Sequence, residues 1–280
     1  MTLKDYSLLF AIVVLAFTFP IQMAEQQLLT YNRYQIQYHE KLDNAIDDGL
    51  FDLIEKDTYE EVVVNREECL ENFYQSFYGN FGVENTSFAK SQIRQHLPLI
   101  GIVENDRVSI AYQRPVEKNG QWELVDEWTE YMPYEYRDGG IVYQFCLGSA
   151  KDWVEVCFYG DGRWIRGLRK DLAKQDTRLY WLEQDKQFEQ IRRNTILQAI
   201  KKQMEEVSNF YNQIGNEWGF QYEFYLPDIE NQDWCRTIDD IGMIVLFQGY
   251  PVEGLNGNVY TRFVYSGSRT YKKEKNEFLP

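Results

Sequence analysis

The first hydrophobic stretch of the chain has no polar face. From Tyr6 to Ala24 none of 19 residues is charged, and Leu8, Leu9, Phe10, Ile12, Val13, Val14, Leu15, Phe17 and Phe19 make the run almost wholly apolar. A helix of this length spans roughly 28 Å at about 1.5 Å per residue, close to the hydrocarbon thickness of a bilayer. The pattern predicts a transmembrane helix over 6–24, after a short tail at 1–5. Two competing readings fit less well. A cleaved signal peptide would want more positive charge than Lys4 beside Asp5, and cleavage after Ala24 would put Gln22 where a small residue is needed. A core helix this apolar at the extreme terminus would be expected to show caps and a polar face, and this segment shows neither. Pro20 sits near the far end, where a bend leaves the centre of the helix hydrogen-bonded.

After Glu25 the pattern becomes periodic. Tyr31, Tyr34, Tyr38, Leu42, Ala45, Ile46, Leu50, Leu53 and Ile54 recur at steps of three and four, the period of an amphipathic helix. It is expected to continue the membrane helix as a stalk over 25–62. Nine acids and two bases between Glu40 and Glu61 put a net charge of -7 on or beside the other face. The apolar stripe needs a cover, either the protein's own globular part or a neighbouring chain in an assembly.

Residues 63–180 predict a short helix and an antiparallel meander. The helix runs from Glu67 to Phe81, with Leu70, Phe73, Tyr74, Phe77 and Phe81 inward and Gly79 and Gly82 at its end. Strand-like runs follow at 99–103, 107–112, 122–128, 141–147 and 153–159, with turns at Asn105-Asp106 and Asn119-Gly120. Gly160-Asp161-Gly162 lacks the spacing and lysine of a phosphate loop and reads as a turn that needs positive φ. Residues 181–280 predict a long helix over 182–215, on which Ile196, Ile200, Met204, Val207, Tyr211 and Ile214 share one face, and three strands at 220–226, 243–247 and 259–265. Asn256-Gly257 turns the last pair. The fold class expected is α+β, with a transmembrane helix, a long amphipathic helix, and antiparallel sheet packed with helices.

Composition removes several functions from consideration. With 44 acids against 29 bases the formal charge is -15, which opposes a nucleic-acid backbone or an anionic lipid surface as a general partner. Cys69, Cys146, Cys157 and Cys235 form no C-x-x-C pair and predict no metal centre. Cys146 and Cys157 either bridge neighbouring strands outside the cell or stay as buried free thiols. His39 and His96 have no ligand or relay pattern around them, and neither Gly148-Ser149 nor Ser266-Gly267-Ser268 forms a nucleophile elbow. The acids Asp228, Glu230, Asp233, Asp239 and Asp240 miss the calcium-loop pattern. Trp122, Trp128, Trp153, Trp164 and Trp234 are candidate sugar platforms, with core packing the more frequent job of such residues. Asn85-Thr86-Ser87 matches a glycosylation sequon. No cofactor motif and no catalytic centre is legible.

The segment from Tyr38 to Asp48, through Leu42, Ala45 and Asp48, is similar to the stretch that follows the membrane helix in pilin-like proteins and Tad-type pseudopilins. The resemblance covers the anchor and the helix beyond it. The chain departs from the pattern at the processing site, lacking a glycine before the hydrophobic run and a glutamate five residues into it. The resemblance implies a non-enzymatic subunit of a pilus or secretion assembly, held in the membrane by an uncleaved helix, with other subunits or copies of itself as partners. The expected orientation places the N-terminus in the cytoplasm and the C-terminal region outside. The alternatives are an anchored binding or sensing domain for carbohydrate and an anchored hydrolase that uses carboxylates.

Overall fold

The computed structural model describes residues 3–51, 53–57, 62–118, 120–218, 238–252 and 259–268, with side chains from residue 18 onward in the first of these segments. The chain is an α+β protein with, among the described residues, two larger antiparallel sheets and one two-stranded antiparallel ribbon. Helix α1, Leu3–Phe51, is continuous through Pro20. Its end corrects one expectation. The stalk does not run to residue 62, because Ile54–Asp57 (β1) pairs antiparallel with Val62–Val64 (β2). The valine run and Ile54 are β-branched residues suited to a pleated surface, and the helical spacing of Leu50, Leu53 and Ile54 concealed the change.

Helix α2, Arg66–Phe81, turns back along α1. Asn65 caps it by accepting the Glu68 amide, and Gly82 ends it at φ +69. A further short helix, α3 (Ser87–Arg94), begins at Thr86, whose hydroxyl accepts from the Ala89 amide. This gives the sequon a structural role as a cap. The larger sheet is built from β3 (Leu99–Val103), β4 (Arg107–Lys118), β5 (Gln121–Trp128), β6 (Met132–Pro133), β11 (Gly242–Val252) and β12 (Val259–Ser268). Its order is β12-β11-β3-β4-β5, with β6 on β4. Every residue of β3 is buried, as its continuous apolar run requires of a central strand. β3 bonds to β11 from Leu99–Leu246 to Val103–Gly242. The C-terminal strands therefore complete the sheet begun at residue 99 and do not form the separate three-stranded unit expected for 181–280. Such pairing joins distant stretches and leaves no local signal. The expected strand at 220–226 and the turn at Asn256-Gly257 lie outside the described residues.

The smaller sheet has the order β10-β9-β8-β7, made of β7 (Glu135–Asp138), β8 (Ile141–Phe145), β9 (Trp153–Phe158) and β10 (Arg163–Leu168). The single meander expected for 63–180 is thus two sheets. Gly162 turns β9 into β10 at φ +65, which accounts for Gly160-Asp161-Gly162 as backbone geometry. Tyr134 ties the sheets together, its buried hydroxyl donating to the Arg107 carbonyl at 2.5 Å. Helix α4, Arg169–Gln175, leads through a 3-10 turn at Thr177–Glu183 to α5, Asp185–Trp218. Trp181 from that turn donates to the Tyr143 hydroxyl and packs on Tyr136, Phe145 and Phe188. The larger sheet is covered on both faces. On one side α1 and α2 meet β11 through Gly49 against Met243 and Phe77 against Phe247. On the other, α5 places Phe210 edge-on to Tyr112, and Tyr211 accepts from the Gln113 amide.

Candidate functional site: the first helix and its seat

The six residues grouped by period on α1 fall into two sets. Leu42, Ala45 and Ile46 are buried in the protein's own core, together with Leu50, against Cys69, Phe73 and Phe77 of α2. For these three the assembly role is corrected: their stripe is covered from within the same chain. The reason lies in α2, whose inward residues recur at the same helical steps and supply the matching apolar face. At Gly49 the two helices come so close that a Cβ would lie 2.9 Å from the Cβ of Phe73 and 3.1 Å from the Cys69 carbonyl oxygen.

Tyr38 sits at the rim of this seat. Its ring stacks on Phe81 at 5.6 Å and meets Tyr250 edge-on at 5.3 Å, while Lys41 lies 4.8 Å from the centre of the Phe81 ring. His96 closes the cluster, 5.1 Å from Tyr250, with Nδ1 3.2 Å from the Gln248 carbonyl oxygen. Burial lowers the pKa of His96 below its ordinary value, against the opposing pull of that carbonyl. It is a packed, satisfied residue, whereas His39 is exposed on α1.

Above Tyr38 the helix leaves the core. Tyr31 and Tyr34 are half-buried, Tyr34 against Tyr38 and Tyr31 beside Gln35. Leu28, Leu29 and Ile36 are exposed, Leu29 at 68% and Ile36 at 59%, and Phe19 and Ile21 continue the exposed apolar series. The periodic reading missed Leu29 and Ile36 because they lie off the tyrosine stripe; their seven-residue separation was the available signal. Among the described residues no helix is long and apolar enough to cross a membrane. The side chains of Leu8, Leu9, Phe10, Ile12, Val13, Val14, Leu15 and Phe17, on which the transmembrane expectation rests, lie outside the described residues.

The remaining candidates are dispersed. Trp122 and Trp164 are exposed, but on β5 of the larger sheet and β10 of the smaller one. Trp128 is half-buried under the Arg66 guanidinium, 4.7 Å from the ring centre. Trp153 is also half-buried, and Trp234 lies outside the described residues. Asp239 accepts from Arg192 and Arg193, at 2.8 Å from the former, and so fastens the start of β11 to α5. Asp240 is buried, accepting the Ile241 amide, while Asp228, Glu230 and Asp233 lie outside the described residues. Cys146 and Cys157 are buried free thiols. Cys157 faces Val142 across β8 and β9, four residues short of Cys146; at about 3.3 Å per residue the offset is roughly 13 Å, too far for a bridge. Burial pushes the Cys146 thiol up to about 11 and the Cys69 thiol up to about 12, so neither is an activated nucleophile. Glu104 is buried below Arg107 and Ser109; burial raises its pKa, with Arg107 and Arg66 drawing it back.

Fold and site together define an α+β protein built around one long N-terminal helix, seated in the core at one end and clear of it at the other. No family model matches the chain, and no curated protein or solved structure does either.

Proposed function

We propose that the chain is a non-enzymatic, single-pass membrane protein that serves as a structural or accessory subunit of a cell-envelope pilus or secretion assembly, pseudopilin-like in its first helix. One observation carries the reading. A single helix, Leu3–Phe51, has its last turns sunk in the core and exposes Leu29 and Ile36 where it leaves it. A rigid helix anchored in this way transmits the orientation of a membrane segment to the globular part. The 19 uncharged residues from Tyr6 to Ala24 supply the length and apolarity for the membrane. Exposed leucine and isoleucine beside half-buried tyrosines give neighbouring subunits an apolar contact. In this reading the N-terminus lies in the cytoplasm and the globular part outside.

Two measurements on native membranes test it. The full chain should stay with the membrane after carbonate extraction, and deletion of residues 6–24 should release it. A photo-cross-linker at Leu29 or Ile36 should trap a second polypeptide, whereas one at Leu42 should give only products within the chain. Recovery of the intact protein in the soluble fraction, or purely intrachain products at both exposed positions, would refute the proposal.

A further inference from the structure

Beside α5 a groove of 690 Å³ runs between that helix and the ribbon 131–137, which joins the two sheets. Among the described residues β7 is an outermost strand of its sheet, bonded to β8 alone. Its pairing phase fixes where the unused main-chain groups point. Asp138 and Ile141 close a two-residue hairpin, and at the other end the Phe145 amide donates to the Tyr134 carbonyl at 3.0 Å. In an antiparallel pair bonded and non-bonded residues alternate, so Tyr134, Tyr136 and Asp138 are joined to β8. Glu135 and Arg137 turn their N–H and C=O groups away from β8, and both residues line the groove.

The opposite wall carries a polar series. Asn194, Gln198 and Lys202 are exposed at successive four-residue steps on α5, and among the described residues their side chains engage no partner. Four helical residues rise about 6 Å, close to the roughly 6.7 Å that two residues of an extended strand advance. The floor between the walls is apolar, with Met132, Ile191 and Ala199. Among the described residues, backbone left open on one side, amides in step with an extended chain on the other, and an ammonium without a partner at one end form a receptor for a β-strand bearing an acidic side chain. We propose that the open edge of β7 takes up an extended acidic segment of a partner protein as a fifth strand, clasped by Asn194, Gln198 and Lys202. Main-chain bonds to Glu135 and Arg137 supply the pairing, and Lys202 selects the acid. The site is separate from α1 and does not depend on the membrane assignment.

The test uses the full chain in detergent and a displayed library of random heptapeptides. Selection should enrich acidic sequences that lose at least tenfold in affinity on Lys202→Glu, and whose binding is abolished by proline at the central peptide position. Arg137→Pro removes an outward N–H that β8 does not use and should abolish binding, while Arg137→Ala, the control for the side chain, should retain it. Near-UV circular dichroism identifies any variant that fails to fold, and proline substitution in the peptide reads the same edge without altering the protein. No enrichment, or peptides that bind Lys202→Glu and survive proline substitution, overturns the proposal. A wild-type dimer that Arg137→Pro dissociates would assign the edge to a second copy and overturn the separate partner.

Discussion

Replacing Gly49 with alanine sets two known effects against each other. In an unconstrained helix interior the substitution is favourable by about 1 kcal/mol, because glycine has more backbone freedom to lose. Here the new methyl would lie 2.9 Å from the Phe73 Cβ, 3.1 Å from the Cys69 carbonyl oxygen and 3.3 Å from the Met243 Cε. Methionine can swing aside, but a Cβ and a carbonyl move only with α2 itself. Bringing the carbon pair to about 3.5 Å requires the helices to part by roughly 0.6 Å. Overpacking of this kind costs about 1–3 kcal/mol, which leaves a net loss of up to about 2 kcal/mol after the helical gain. Thermal unfolding of the full chain in detergent, followed by near-UV circular dichroism, should show the midpoint falling by up to about 8 °C, with a larger fall for Gly49→Val. Asn44→Ala, on the exposed side of α1, should leave it almost unchanged. A Gly49→Ala midpoint above wild type would refute the reasoning, since it would mean that α1 does not press on α2 at this point.

Other perturbations separate the seat of α1 from its free part and report on the packed core. Leu42→Ala should cost about 2–5 kcal/mol in urea unfolding, while Leu29→Ala should stay within about 0.5 kcal/mol; equal effects would contradict the division of the helix. His96 is held neutral by burial, so between its lowered folded pKa and the ordinary value of 6.5 the unfolded chain binds more protons. Its contribution to stability is present above pH 6.5 and declines as pH falls through that window. Comparison of urea midpoints at pH 7.5 and 5.5 should show a drop that His96→Gln reduces, and an unchanged drop in the variant would exclude His96 as its source. Cys69 and Cys146, buried and with raised pKa values, should resist iodoacetamide at pH 8 until denaturant is added; rapid native labelling by mass spectrometry would contradict their placement.

The parts legible in the sequence are those specified by neighbours along the chain. α2 and α5 follow from apolar period, and the hairpin of β4 and β5 from Asn119-Gly120, where Gly120 takes φ +77. β7 and β10 went unread because Glu135–Asp138 and Arg163–Leu168 lie at sheet edges, no residue of either is fully buried, and their sequences show no apolar alternation. The pairing of β11 with β3 was hidden for a different reason: two buried strands look alike from the sequence, and nothing local says which edges meet. The stripe on α1 was visible, but its cover became evident only once α2 lay against Leu42, Ala45 and Ile46. The groove beside α5 draws on two distant stretches, and Asn194, Gln198 and Lys202 taken alone are an ordinary solvated helix face.

The place of β11 between β3 and β12 has a consequence for synthesis. β3 emerges from the ribosome with one edge satisfied by β4 and the other open, and the strand that closes it begins only at Gly242. Throughout that interval a fully apolar strand displays unpaired backbone, the arrangement most prone to join a neighbouring chain. The seat for α1 is also incomplete then, because β11 and β12 form part of its floor. A ribosome stalled after α5 would release a chain whose first helix has no finished place to rest, making the final strands the step that commits the whole molecule.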